Sequence, residues 1–311
     1  MTDVISAGEE EVVKPEPEEA VPSKNTWWAT LLSLLLYIVV YYALFSNFRH
    51  IFLLVVVILI HEGGHYLAMK IFGYKDIRLF FIPLIGAFVS GSSHSATAFQ
   101  RSLMILAGPV PGIFIGMILF SIFIISGNQY LFEAAMLFLL LNAFNLLPLS
   151  PLDGGQLLQT LYFGTNYTVQ TFFTILSVIT ICVVVYLTRS YLLLVIVFFL
   201  LSRLKKSFDL NQLRNKVKKE GISLDKTFAG LSNPEYAAIR KVLLKLFPEW
   251  NLPYDRSSVQ EQEIAALTQV LMPVSFSGAI SPARKLYLTL LWLAGLAVPV
   301  FALVYYFNNL R

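Results

Sequence analysis

The stretch Val55–Lys70, VVVILIHEGGHYLAMK, sets His61, Glu62 and His65 at the end of an unbroken apolar run. In hydrocarbon every backbone polar group must be bonded within the chain, so such a run is read as a helix. An ionisable side chain near mid-membrane costs about 3 kcal/mol or more, so groups kept there are usually functional. On a helix, His61 and His65 share one face. Two imidazoles at that spacing can grip one divalent metal, and Glu62 beside the first can serve as a general base. The bland alternative is hydrogen bonding between helices, with no metal.

Composition places this helix among others. Hydrophobic types make up 57% of the 311 residues and charged types 14%, against about 25% charged in a soluble domain. The chain is therefore an integral, multi-pass membrane protein lying in a lipid bilayer. Its net charge of +4 is spread as membrane topology demands, and nucleic acid is not expected as a partner. The single cysteine, Cys182, excludes an intrachain disulfide.

The apolar stretches predict seven spans, at 27–45, 51–72, 103–125, 131 to about 147, 171–187, 191–202 and 286–307. The expected fold is all-α and polytopic, with a small helical cytoplasmic domain. Four domains follow: a disordered acidic tail over 1–26, a transmembrane domain over 27–202, the helical domain over 203–283, and a last membrane helix over 284–311. Lys14 and Lys24, the group Lys70–Arg101, Arg203–Lys206, and Arg284 with Lys285 fall on one side if the N-terminus is cytoplasmic. A bacterial inner membrane is the simplest location. In the helical domain, Asn233 is expected to cap a helix begun by Pro234, and Ser258 with Glu261 to form a capping box.

A metal held by two histidines needs a third protein ligand if it is to be catalytic. His94 lies in a polar loop too far along. The other polar cluster in apolar sequence is LNAFNLLPLSPLDGGQLL, residues 141–158, whose single ionisable group is Asp153. Pro148 and Pro151 must break the helix there. Ser150 could cap a new short helix with Asp153 in its first turn, where the dipole favours a carboxylate. A loop aspartate at the membrane surface is the competing reading.

HEGGH in a membrane helix, followed by NLLPLSPLDGG, resembles the site-2 protease family of intramembrane metalloproteases. ILAGPVPGI at 105–113 resembles that family's glycine-rich third core helix. The resemblance covers about residues 50–160 and implies a three-helix metalloprotease core. It implies one zinc ion held by His61, His65 and Asp153, with Glu62 as the base. It also implies that Asn145 helps to hold substrate, a role Asn142 could share unless it merely bonds between helices. The substrates implied are single-span membrane proteins, cut within or near the membrane. Many bacterial members insert a PDZ domain after the third core helix; here Gly127–Tyr130 leaves no room for one.

The segment IRLFFIPLIGAFVSG, residues 77–91, is rich in strand formers but interrupted by Pro83 and Gly86. A short membrane-dipping strand or hairpin is expected, with Gly86 and Ala87 on an edge that pairs with unwound substrate. A greasy loop packed on the core is the alternative. Two rivals compete with proteolysis. A divalent-metal transporter needs polar groups spread across the membrane, whereas here they converge on one depth. An inactive relative that only binds membrane helices has no need of Glu62.

Overall fold

The computed structural model describes residues 12–15, 26–83, 86–92, 96–163, 167–189, 191, 194–224, 226–228, 230–250, 255, 258–272 and 280–309. His94 lies outside them. By compactness the chain forms two units, Pro22–Leu204 with Phe276–Arg311, and Met1–Val21 with Lys205–Ser275.

The larger unit begins with α1 (Thr26–Phe45) and α2 (Phe48–Ile71). Asn47 caps α2 by accepting from the His50 N–H at 3.2 Å. A hairpin follows, β1 (Lys75–Ile82) paired antiparallel with β2 (Gly86–Ser92). Helix α3 (Ala98–Ala107) starts in a Thr97–Gln100 capping box. The expected helix over 103–125 is broken at Gly108. Pro109, which lacks an N–H, opens a new helix, α4 (Pro109–Ser126), that ends on Gly127 at φ 65°. Helix α5 (Gln129–Asn145) packs back along α4 in the most extensive helix contact among the described residues. After the proline-containing turn come α6 (Asp153–Leu158), a π-helical turn (Gln159–Phe163), and α7 (Tyr167–Thr188). Helix α8 (Leu194–Lys219) contains the boundary between the units, and α11 (Pro282–Asn309) closes the larger unit.

Four helical stretches among the described residues are long and apolar enough to cross a membrane: Trp27–Phe45, Phe48–Ile71, Ala98–Ser126 and Pro282–Asn308. This corrects the expected seven. Helix α5 is 17 residues, about 26 Å against a hydrocarbon core of about 30 Å. Its end is set by the turn leading to Pro148. The apolar part of α7 is confined to Thr171–Leu187. Helix α8 turns polar at Arg203, after only its first turns. The core of the unit is built from α3, α4, α5, α6 and α11, around Leu106, Leu139, Leu146, Leu157 and Leu288. The outer faces stay apolar, with Leu32, Leu35 and Leu36 of α1 exposed, as lipid contact requires.

In the smaller unit α9 (Asn233–Leu246) and α10 (Val259–Leu271) pack with the end of α8 around Tyr236, Ile239, Leu243 and Leu271. The cap of α9 is Ser232, one residue before the Asn233 expected from sequence; its N–H donates to Glu235 at 2.9 Å. Ser258 caps α10 as expected, accepting from the Glu261 N–H at 3.1 Å. The Glu261 side chain does not return to that cap. It turns inward to accept from the Tyr236 hydroxyl at 2.6 Å and from Arg240 at 2.8 Å. Residues 12–15, inside the stretch expected to be disordered, lie on this domain, with Pro15 buried.

Candidate metal centre and active site

Helix α2 carries His61, Glu62 and His65, and α6 brings Asp153 to them. Asp153 Oδ2 lies 3.1 Å from His61 Nε2 and 3.2 Å from His65 Nε2. The two imidazole nitrogens are 3.3 Å apart. A tetrahedral zinc with bonds of about 2.0–2.1 Å holds its ligand atoms about 3.3 Å apart, so the triangle has the right size.

The proton positions fit as well. His61 Nδ1 is 2.8 Å from Asn142 Oδ1, and His65 Nδ1 is 2.8 Å from the carbonyl oxygen of Met104. Asn142 donates its amide N–H to Phe138 O at 2.7 Å, which turns its oxygen toward His61. An oxygen acceptor calls for a donor, so each Nδ1 carries the proton and each Nε2 offers a lone pair. Asp153 Oδ2 is buried and has no hydrogen-bond donor in bonding geometry. Three lone pairs thus face one buried point, an arrangement that favours a cation.

Local backbone chemistry makes this assembly possible. The turn over 146–152 ends α5, and α6 then starts with Asp153 beside the two histidines. Asp153 sits in the first turn of α6, as expected. The cap, however, is Leu152, which makes no side-chain cap bond, and Ser150 plays no such part. Gly108 lets α3 and α4 meet α2 closely: a Cβ there would lie 2.3 Å from His65 Nε2.

A cavity of about 350 Å³ opens on this cluster. His61, Glu62, His65 and Asp153 line it, with Asn145, Gln156, Met104 and the run Gly86–Val89. Asn145, Gly86 and Ala87 therefore face the space beside the cluster. Asn142 does not: it is fully buried behind His61, and it is the bond between helices that the sequence left open.

The hairpin presents an edge to this cavity. On α1, Thr30 donates to Leu79 O at 2.7 Å, and Ser33 accepts from the Phe81 N–H at 3.2 Å. Leu79 and Phe81 therefore point their backbone groups away from β2. In the register Leu79 pairs with Val89 and Phe81 with Ala87. These are non-hydrogen-bonded pairs, so Ala87 and Val89 turn their own N–H and C=O outward. No third strand joins β2 among the described residues. Four consecutive residues of β2 line the cavity, as an edge does; a sheet face would offer every second one.

Residues 49–135 match the sequence model of peptidase family M50. A zinc metalloprotease of Methanocaldococcus jannaschii is 31% identical over 114 residues, covering 35% of this chain and 33% of that protein. Stage IV sporulation protein FB of Bacillus subtilis is 32% identical over 124 residues, covering 38% and 42%. The matched segment is thus similar to peptidase family M50 and to these two proteins. A solved site-2 protease from Methanocaldococcus jannaschii covers 57% of this chain and 86% of its own at 20% identity, with a TM-score of 0.42. The chain spans between a third and a half of the length of the curated relatives it matches. The family match ends before Asp153, so the third candidate ligand rests on its own geometry. Sequence reasoning missed Met104, whose contribution is a backbone oxygen and leaves no trace in side-chain identity.

Proposed function

We propose that this chain is an intramembrane zinc metalloendopeptidase that hydrolyses peptide bonds within or near the membrane segments of single-span proteins. The observation that supports this most directly is the convergence of His61, His65 and Asp153 at 3.1–3.3 Å beside Glu62, in a cavity lined by a strand edge.

His61, His65 and Asp153 would hold one zinc ion, whose chemistry when bound is Lewis acidity toward the scissile carbonyl and a lowered pKa for water. Glu62, next to His61 and facing the same cavity, accepts a proton from the attacking water. It then returns that proton to the nitrogen of the leaving amine as the C–N bond breaks. Asn142 and Met104 keep the proton on Nδ1 of each histidine and so keep Nε2 available. The outward N–H and C=O groups of Ala87 and Val89 receive the unwound substrate as an added strand, since a stretch freed from its helix needs new backbone partners in lipid. Asn145 stands across the cavity as a second polar contact. The N-terminus is proposed to be cytoplasmic, which places the helical domain's basic flank on the same side.

The test compares purified protein with its Glu62→Gln form on a panel of single-span substrates. Cleavage by the unaltered protein and its loss in Glu62→Gln is the expected result. Equal activity of the two would remove the reading.

A further inference from the structure

The smaller unit holds one extended segment of its own chain in a way that looks like ligand recognition. The Lys14 ammonium donates to Phe228 O at 3.0 Å and to Leu231 O at 2.8 Å, and lies 5.3 Å from the centre of the Phe228 ring. The Lys14 backbone N–H donates to Asn233 Oδ1 at 3.1 Å. Ser232 rather than Asn233 caps α9, which leaves the Asn233 side chain for this bond. Val12 packs on the domain's apolar core, and Pro15 is buried. We propose that the helical domain carries a peptide-binding site for an extended apolar–Lys–Pro segment, which residues 12–15 occupy in cis.

Each feature selects part of that pattern. Two carbonyl oxygens and an aromatic face suit a compact ammonium; a planar guanidinium would not enter the same cup. Proline after the lysine holds the lysine's backbone extended, so little order is lost on binding. The seat touches only a few residues, and a segment of the same chain competes as an intramolecular ligand, at an effective concentration of about a millimolar. A second peptide of the same chemistry can therefore displace it. The site does not involve the metal centre, and its test is independent of proteolysis.

The experiment uses full-length chain in detergent and a fluorescent peptide of residues 9–18, EEEVVKPEPE, read by anisotropy. Lys14→Ala in the protein removes the internal competitor's anchor. The peptide should bind Lys14→Ala protein at least fivefold tighter than wild type. Acetylating the peptide's lysine should weaken binding at least tenfold. Asn233→Ala added to Lys14→Ala should also weaken it, with the melting temperature unchanged. Equal affinity for wild-type and Lys14→Ala protein, equal binding of the acetylated peptide, or no binding to either protein would overturn the proposal.

Discussion

The Trp292 indole N–H donates to the backbone oxygen of Leu146 at 2.7 Å, joining the last helix to the turn that delivers Asp153. The break after α5 frees that carbonyl at a fully buried residue, and an unpaired group there would be expensive. Gly154 closes on the same oxygen: a Cβ at 154 would lie 1.9 Å from it. Helix α11 lies outside the matched family segment, yet it completes the support of the turn before Asp153, the third candidate ligand.

Trp292→Phe keeps an aromatic side chain and removes the donor. Loss of the bond should cost about 1–3 kcal/mol of stability, as a buried acceptor left unpaired does. Thermal unfolding measures that cost, and a chelator challenge should strip zinc from the variant sooner than from wild type. Unaltered melting and unaltered zinc retention would show that the bond contributes nothing.

His61→Ala, His65→Ala and Asp153→Ala should each lose zinc, because each removes one of three lone pairs. Glu62→Gln should retain it while abolishing cleavage. Elemental analysis of the four purified variants separates ligand from base. Full zinc in His65→Ala would discard the assignment.

Asn142→Ala removes the acceptor that fixes the His61 tautomer. Zinc affinity should fall about 10- to 100-fold, the usual effect of losing such a support. Competition with a fluorescent chelator gives the number directly. A variant that binds zinc like wild type would mean that Asn142 serves packing alone.

Proline at Ala87 or at Val89 deletes an outward N–H without touching a bond to β1, so the hairpin should survive. Zinc content should stay whole and proteolysis should fall sharply in both variants. Wild-type cleavage by both would dismiss the edge as the substrate's seat.

The convergence of the candidate site was legible in outline because its chemistry conflicts with its surroundings. His61, Glu62, His65 and Asp153 stand out against apolar sequence, and Pro148 and Pro151 announce the turn that gathers them. The hairpin was legible from Pro83 and Gly86 amid strand formers. Backbone partners were not: Met104 O and Leu146 O are chosen by tertiary packing, and any residue supplies a carbonyl. Span count failed for a related reason. Hydropathy sees that 131–147 is apolar but not that α5 ends at Asn145, nor that α8 starts only at Leu194, a few residues before Arg203.

The hydroxyls of Thr30 and Ser33 finish one side of the hairpin and leave the other side open. A guest strand docked there would be gripped through its main chain, with alternate side chains facing opposite ways. Selectivity would then follow a two-residue rhythm and, above all, the ease with which a guest helix surrenders its own ladder. Glycine or proline near the cut, which weaken that ladder, would mark a good substrate more reliably than any one flanking residue.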